Sequence, residues 1–142
     1  MSGFAVVLAA ADASEQSDRA VEVARDLALV SGGTVHLFHV LERQVIVGKS
    51  GGAFEMETAD DVETLLEREL ATLRASGAKV QPHVRRGRHD EVAQSILELA
   101  DELSADVVVM GTRGKSAFAA LVVGSNAYKV LHSSQRPVLL VP

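Results

Sequence analysis

Four consecutive apolar residues, Val107-Val108-Val109-Met110, run directly into Gly111-Thr112-Arg113-Gly114, and after nine further residues the chain reads Gly124-Ser125. An unbroken apolar run is what a parallel strand buried on both faces requires, because a half-buried strand alternates. After Gly124 the apolar positions Ala127, Val130 and Leu131 fall at helical spacing, which puts Ser125 at the N-cap. The stretch reads as strand, glycine loop, helix start.

The remaining segments alternate in the same way. Phe4 to Ala10 reads as a strand, and Ala20, Val23, Ala24 and Leu27 share one helical face, with Ser14 or Ser17 as cap and Ser31-Gly32-Gly33 as a stop suited to a left-handed exit. Thr34 to Val40 is a second strand. Residues 41–58, with Gly48, Gly51 and Gly52, read as a mobile surface loop. A helix carrying Val62, Leu65, Leu66, Leu70 and Leu73 ends at Ser76-Gly77. Val80 to Arg86 is a third strand, and Pro82 assigns it to an edge because proline donates nothing to a ladder. The next helix buries Val92, Ile96, Leu99 and Leu103, and Val138 to Val141 is a terminal strand. The expected fold is α/β: one domain over residues 1–142, with a doubly wound, Rossmann-like parallel sheet of five strands in the order 3-2-1-4-5 and helices on both faces. A chain of 142 residues suffices for one such core.

In that order the winding reverses between strands one and four, and ligands bind outside the carboxyl ends of the strands at such a switch. Asp12 follows strand one and Gly111 follows strand four, so two distant segments converge there. A glycine lacks Cβ and so permits positive φ and close approach, while the first N–H groups of a helix carry partial positive charge. Each such contact is worth about 0.3–1 kcal/mol, so several amides and the Ser125 hydroxyl must act on one anion. Arg113 and Lys115 add charge. Asp12 is open to two readings, a helix cap or an acceptor for ribose hydroxyls or a base amino group. The second strand ends at His39-Val40, where backbone amide and carbonyl suit the edge of a flat base. Together these features suit a nucleotide.

Gly-x2-Gly-x9-Gly-Ser after a fourth strand resembles the nucleotide-binding signature of the universal stress protein family. The resemblance covers the whole chain, through Asp12-Ala13-Ser14 after the opening strand, His39-Val40, and the closing Arg136-Pro137-Val138-Leu139-Leu140-Val141. It implies ATP, with magnesium as counter-ion of the phosphates, bound by Ala11, Asp12, Ser14, Val40, Met110, Gly111, Arg113, Gly114, Gly124, Ser125 and Asn126. It also implies a homodimer through Val138, Leu139, Leu140 and Val141, an apolar outer strand with one side unpaired. The expected role is a nucleotide-dependent stress or regulatory protein that binds ATP rather than turning it over, with slow hydrolysis not excluded. No residue stands out as orienting water against a γ-phosphate, and no carboxylate pair has the placing of a general acid and base. The alternatives are a small ATP hydrolase or phosphotransferase on the same fold, and an interaction protein with an empty pocket.

Several function classes are disfavoured by composition. There is no cysteine, hence no disulfide framework or thiolate metal site. A formal charge of −5 opposes attraction to nucleic acid phosphates. The apolar start, Phe4 to Ala11, is far shorter than the roughly 18 residues of a spanning helix, so the expectation is a soluble, cytoplasmic protein without a membrane partner. Gly48-Lys49-Ser50 and Gly114-Lys115-Ser116 end like a phosphate-binding P-loop, but Arg43 and Val109 stand where its first glycine belongs. Gly48-Lys49-Ser50-Gly51-Gly52 fits Gly-x-Ser-x-Gly without the strand and helix a nucleophile elbow needs. His36 and His39 point to opposite faces of a strand and cannot share a metal. His132 lies late in the last helix, where a cation suits the dipole. His83 and His89 flank Arg85-Arg86-Gly87-Arg88, read as a solvated basic cluster.

Overall fold

In the computed structural model, residues 3–12, 15–43, 59–112 and 123–142 are described. The chain runs β1 (Val6–Ala10), α1 (Glu15–Ser31), β2 (Thr34–Arg43), α2 (Ala59–Ala75), β3 (Lys79–Arg88), a 3-10 turn (His89–Glu91), α3 (Val92–Leu103), β4 (Val107–Gly111), α4 (Ser125–Ser133) and β5 (Val138–Val141). The strands form one parallel sheet in the order β3-β2-β1-β4-β5, the order expected from the sequence. Pro82 does lie on an outer strand, opposite Leu37 of β2.

Alternation along the strands separates two cores. Val7, Ala9, Val35, Leu37, Val107 and Val109 pack with α1 and α2 through Ala20, Ala24, Ala28, Leu66, Leu70 and Leu73. On the other face Leu8, Phe38, Val40, Val108 and Met110 pack with Ala93, Ile96 and Leu99 of α3 and Ala127 and Val130 of α4. Leu131, grouped with the apolar face of α4 on spacing, is instead half exposed, because Ala127 and Val130 already fill the contact. Asp106 ties the amino ends of the central strands, with Oδ2 accepting from the Val6 N–H at 2.8 Å and its own N–H donating to Val6 O at 2.8 Å.

Gly32 and Gly77 take positive φ, +67° and +89°, just past α1 and α2, as the stop signals required. α3 stops differently: Ser104 adopts the left-handed conformation at φ 51°. β2 also runs further than its apolar pattern suggested. Leu41 to Arg43, expected in a loop, remain strand because Leu41, Glu42 and Arg43 pair with Arg86, Gly87 and Arg88 of β3. Backbone pairing with a ten-residue neighbour extends the strand without an apolar sequence. The rest of the expected loop, residues 44–58, lies outside the described residues. Among the described residues no helix is long and apolar enough to cross a membrane.

Candidate functional site

β1 has β2 on one side and β4 on the other, so the winding reverses at its flanks and the cleft opens where β1 and β4 end. Beyond β1, Ala11 remains in the sheet's hydrogen-bond pattern, its N–H donating to Phe38 O at 2.8 Å. Its carbonyl is 2.7 Å from Nδ1 of His39, a ring only 2 % exposed. The next amide, that of Asp12, donates to Ser17 Oγ at 2.9 Å. Ser17 is buried on the first turns of α1, so it fixes the chain at Asp12 from below. The sequence marked Ser17 only as a possible cap; its partner five residues upstream could be found from the Asp-x4-Ser spacing only once β1 and α1 were known to fold back on each other.

On the other side of the cleft, Thr112 follows β4. Its N–H donates to Val141 O at 3.0 Å and its carbonyl accepts from the Gly124 N–H at 2.6 Å. The start of α4 is thereby held at the carboxyl end of β4. Gly124, not Ser125, occupies the N-cap, with φ −60° and ψ 155°, and Ser125 is the first helical residue. Glycine has no side chain with which to cap the first-turn amides, and no acidic residue stands in that turn. Neither Gly111 nor Gly124 uses positive φ, so of the two properties that glycine offers only close approach remains for them.

Of the sequence-derived site, Ala11 and Asp12 follow β1, Val40 lies in β2, Met110 and Gly111 close β4, and Gly124, Ser125 and Asn126 open α4. Val40 and Met110 are buried on the α3/α4 face and Ala11 on the α1/α2 face, so all three have little surface of their own. Ser14, Arg113 and Gly114 lie outside the described residues. Lys115, both P-loop-like triplets and the Gly-x-Ser-x-Gly match also fall wholly or partly there.

The other chemically suggestive residues are engaged in structure. His36 and His39 do face opposite sides; His36 Nδ1 lies 2.9 Å from His83 Nε2, so one ring donates and the other accepts. Burial holds both below the usual histidine range, with the neighbouring ring adding to the effect on His36 and Arg85 adding to it on His83. The basic cluster is paired rather than simply solvated: Arg85 reaches Glu102 at 2.7 Å, and Arg88 reaches Asp90 at 2.7 Å. His132 lies in the last turn of α4, stacked on Tyr128. Among the described residues no group of three or more His, Asp and Glu side chains could hold a metal ion.

The model of the universal stress protein family matches residues 3–142. The chain belongs to the universal stress protein family. Universal stress protein G of Shigella flexneri is 36% identical over 132 residues, 89% of each chain. A universal stress protein solved in complex with cAMP aligns with TM-score 0.75 at 24% identity, covering 98% of this chain and 97% of that one. The Archaeoglobus fulgidus universal stress protein solved in complex with dAMP aligns with TM-score 0.69 at 23% identity over 100% of both chains. At those identities the two structures show the fold alone, the doubly wound sheet with its switch point between β1 and β4.

Proposed function

We propose that this universal stress protein binds ATP at the switch point and acts as a nucleotide-dependent regulatory protein rather than as a catalyst. The observation that carries the reading is the hydrogen bond from Gly124 to Thr112, which sets an α-helix start without a side-chain cap at the mouth of the cleft entered by Asp12. Relatives of the same fold solved with cAMP and dAMP support it, since both ligands share adenine and a phosphate with ATP. In this reading the first-turn amides of α4 receive phosphate, and Asp12 receives the nucleoside. In this reading magnesium accompanies the phosphates as their counter-ion.

Mass spectrometry of small molecules released from natively purified protein tests the reading, with an adenine nucleotide expected. Single-turnover incubation should return the ATP intact, whereas stoichiometric ADP would make the chain a hydrolase. Asp12→Ala should cost about 1–3 kcal/mol, roughly tenfold or more in affinity, for adenosine as well as ATP. Normal nucleotide affinity with a lowered melting temperature would return Asp12 to a purely structural role.

The same reading includes a homodimer through β5. This strand pairs with β4 on one side and stands at the end of the sheet, with Leu139 38% exposed. An apolar edge without charge invites pairing, and antiparallel association with a second β5 about a two-fold axis satisfies it. Leu139→Lys should give monomers in sedimentation at micromolar concentration and retain ATP binding. A monomeric unsubstituted protein under those conditions would rule the dimer out.

A further inference from the structure

Two rows of buried apolar side chains are each interrupted by a polar residue. On β2 the face that meets α1 and α2 carries Val35, Leu37 and Leu41, with His39 at the position between Leu37 and Leu41. On α1, Ser17 precedes Ala20, Val21, Ala24 and Ala28 on the buried stripe. Both are as buried as the apolar residues around them, His39 being 2% exposed and Ser17 3%. A buried polar group costs stability unless it is hydrogen-bonded, so packing alone gives no reason for either. Their hydrogen bonds meet on one peptide group. His39 Nδ1 is 2.7 Å from Ala11 O, and since a carbonyl only accepts, that nitrogen carries the hydrogen. At the other end of the same peptide unit the Asp12 N–H donates to Ser17 Oγ at 2.9 Å. A peptide group is planar and includes the Cα that follows, so holding its oxygen and its N–H from two elements holds the plane and, with it, the Asp12 Cα. β2 and α1 together thereby set the point from which the Asp12 side chain leaves the chain.

We propose that His39 and Ser17 are positioning residues for Asp12, clamping the peptide that joins Ala11 to Asp12 so that the carboxylate meets the nucleoside already in place. The proposal rests on the reading of Asp12 as the nucleoside contact. Neither residue touches the ligand; both act through Asp12. A ligand that has to order a backbone segment loses that entropy from its affinity, whereas a segment ordered on folding leaves the affinity whole. With either bond gone the peptide plane can turn about the one that remains, and the Asp12 Cα moves with it. The Ala11 N–H stays with Phe38 O at 2.8 Å, so the strand itself keeps its register.

His39→Leu removes the donor, Ser17→Ala removes the acceptor, and His39→Asn returns an amide N–H close to the place of Nδ1. Calorimetric titration of ATP and of adenosine into each variant, with Asp12 present and with Asp12→Ala, tests the clamp. His39→Leu and Ser17→Ala should each lose about tenfold in affinity for both ligands, the order of the cost of ordering one residue's backbone at binding. His39→Asn should recover most of that loss. In the Asp12→Ala background neither substitution should lower affinity further, because no carboxylate is left to position. Without ligand, the Asp12 amide should exchange faster in both variants relative to the Val108 amide, which is held by Pro137 O. If His39→Leu does not fold, Ser17→Ala, which removes a single hydroxyl, decides the matter. Losses that add in full to that of Asp12→Ala, or unchanged affinity in the single variants, would overturn the proposal and leave nucleotide binding standing. Unchanged relative exchange at Asp12 would overturn the clamp itself. Failure of the unsubstituted protein to bind either ligand would overturn the nucleotide reading and the proposal with it.

Discussion

If the proposed nucleotide reading holds, Gly124→Val is expected to remove measurable ATP binding and to leave circular dichroism and melting temperature as they were. At φ −60° and ψ 155° any L-residue fits the backbone, so valine brings no conformational strain to this position. The bonds that seat α4 are made by backbone atoms and persist: Gly124 N–H to Thr112 O, and Tyr128 N–H to Gly124 O at 2.9 Å. What changes is the space in front of the first-turn amides. A phosphate kept from several contacts of about 0.3–1 kcal/mol each, with a branched side chain against it, loses about 3 kcal/mol, or roughly a hundredfold in affinity. Unchanged calorimetric affinity would mean that the phosphates do not lie at the start of α4.

Among Gly3, Gly32, Gly33, Gly77 and Gly87, an added methyl is expected to cost most stability at Gly33, as Gly33→Ala. A Cβ at this position would overlap Phe4 O and lie 2.7 Å from Ala5 O. Neither side can give way easily. Gly33 N–H is held by Ala28 O at 2.8 Å, and the adjacent Thr34 N–H by Ala5 O at 2.9 Å. The turn from α1 into β2 therefore lies directly on the backbone entering β1, and an added methyl has to separate them. Overpacking against backbone costs about 3 kcal/mol, a fall in melting temperature on the order of 10 °C for a domain of this size. Gly32→Ala is the control. Its φ of +67° is strained for alanine, but there is nothing within 4 Å, so about 1 kcal/mol is expected. Equal losses for the two variants would show that backbone conformation, not close approach, governs the turn.

The sheet order was legible because its causes are local or topological. Val107 to Met110 required two covered faces, Gly32 and Gly77 marked helix ends, and Pro82 pointed to an edge. The switch point between β1 and β4, where the candidate site is placed, followed from that order. Its supports did not, since they join residues whose relation appears only after folding. Ser17 and Asp12 are linked by a helix turning back under a strand, and His39 meets the Ala11 carbonyl across neighbouring strands. Arg85 finds Glu102 only because α3 packs back toward β3. The helix start was misplaced by one residue for a chemical reason. Serine is the stronger capping residue, so Ser125 was favoured, whereas Gly124 occupies the position.

Because β1 sends Val7 and Ala9 to one core and Leu8 to the other, the sheet separates the two helical layers among the described residues. Descendants of this sequence can thus exchange the side chains beneath α3 and α4 without matching changes beneath α1 and α2, and mutational histories on the two sides need not be correlated. Drift on one side is free to explore new helix surfaces while the cleft at the ends of β1 and β4, common to both, keeps its shape. The strands, rather than either helical layer, are where inheritance is expected to be most conservative.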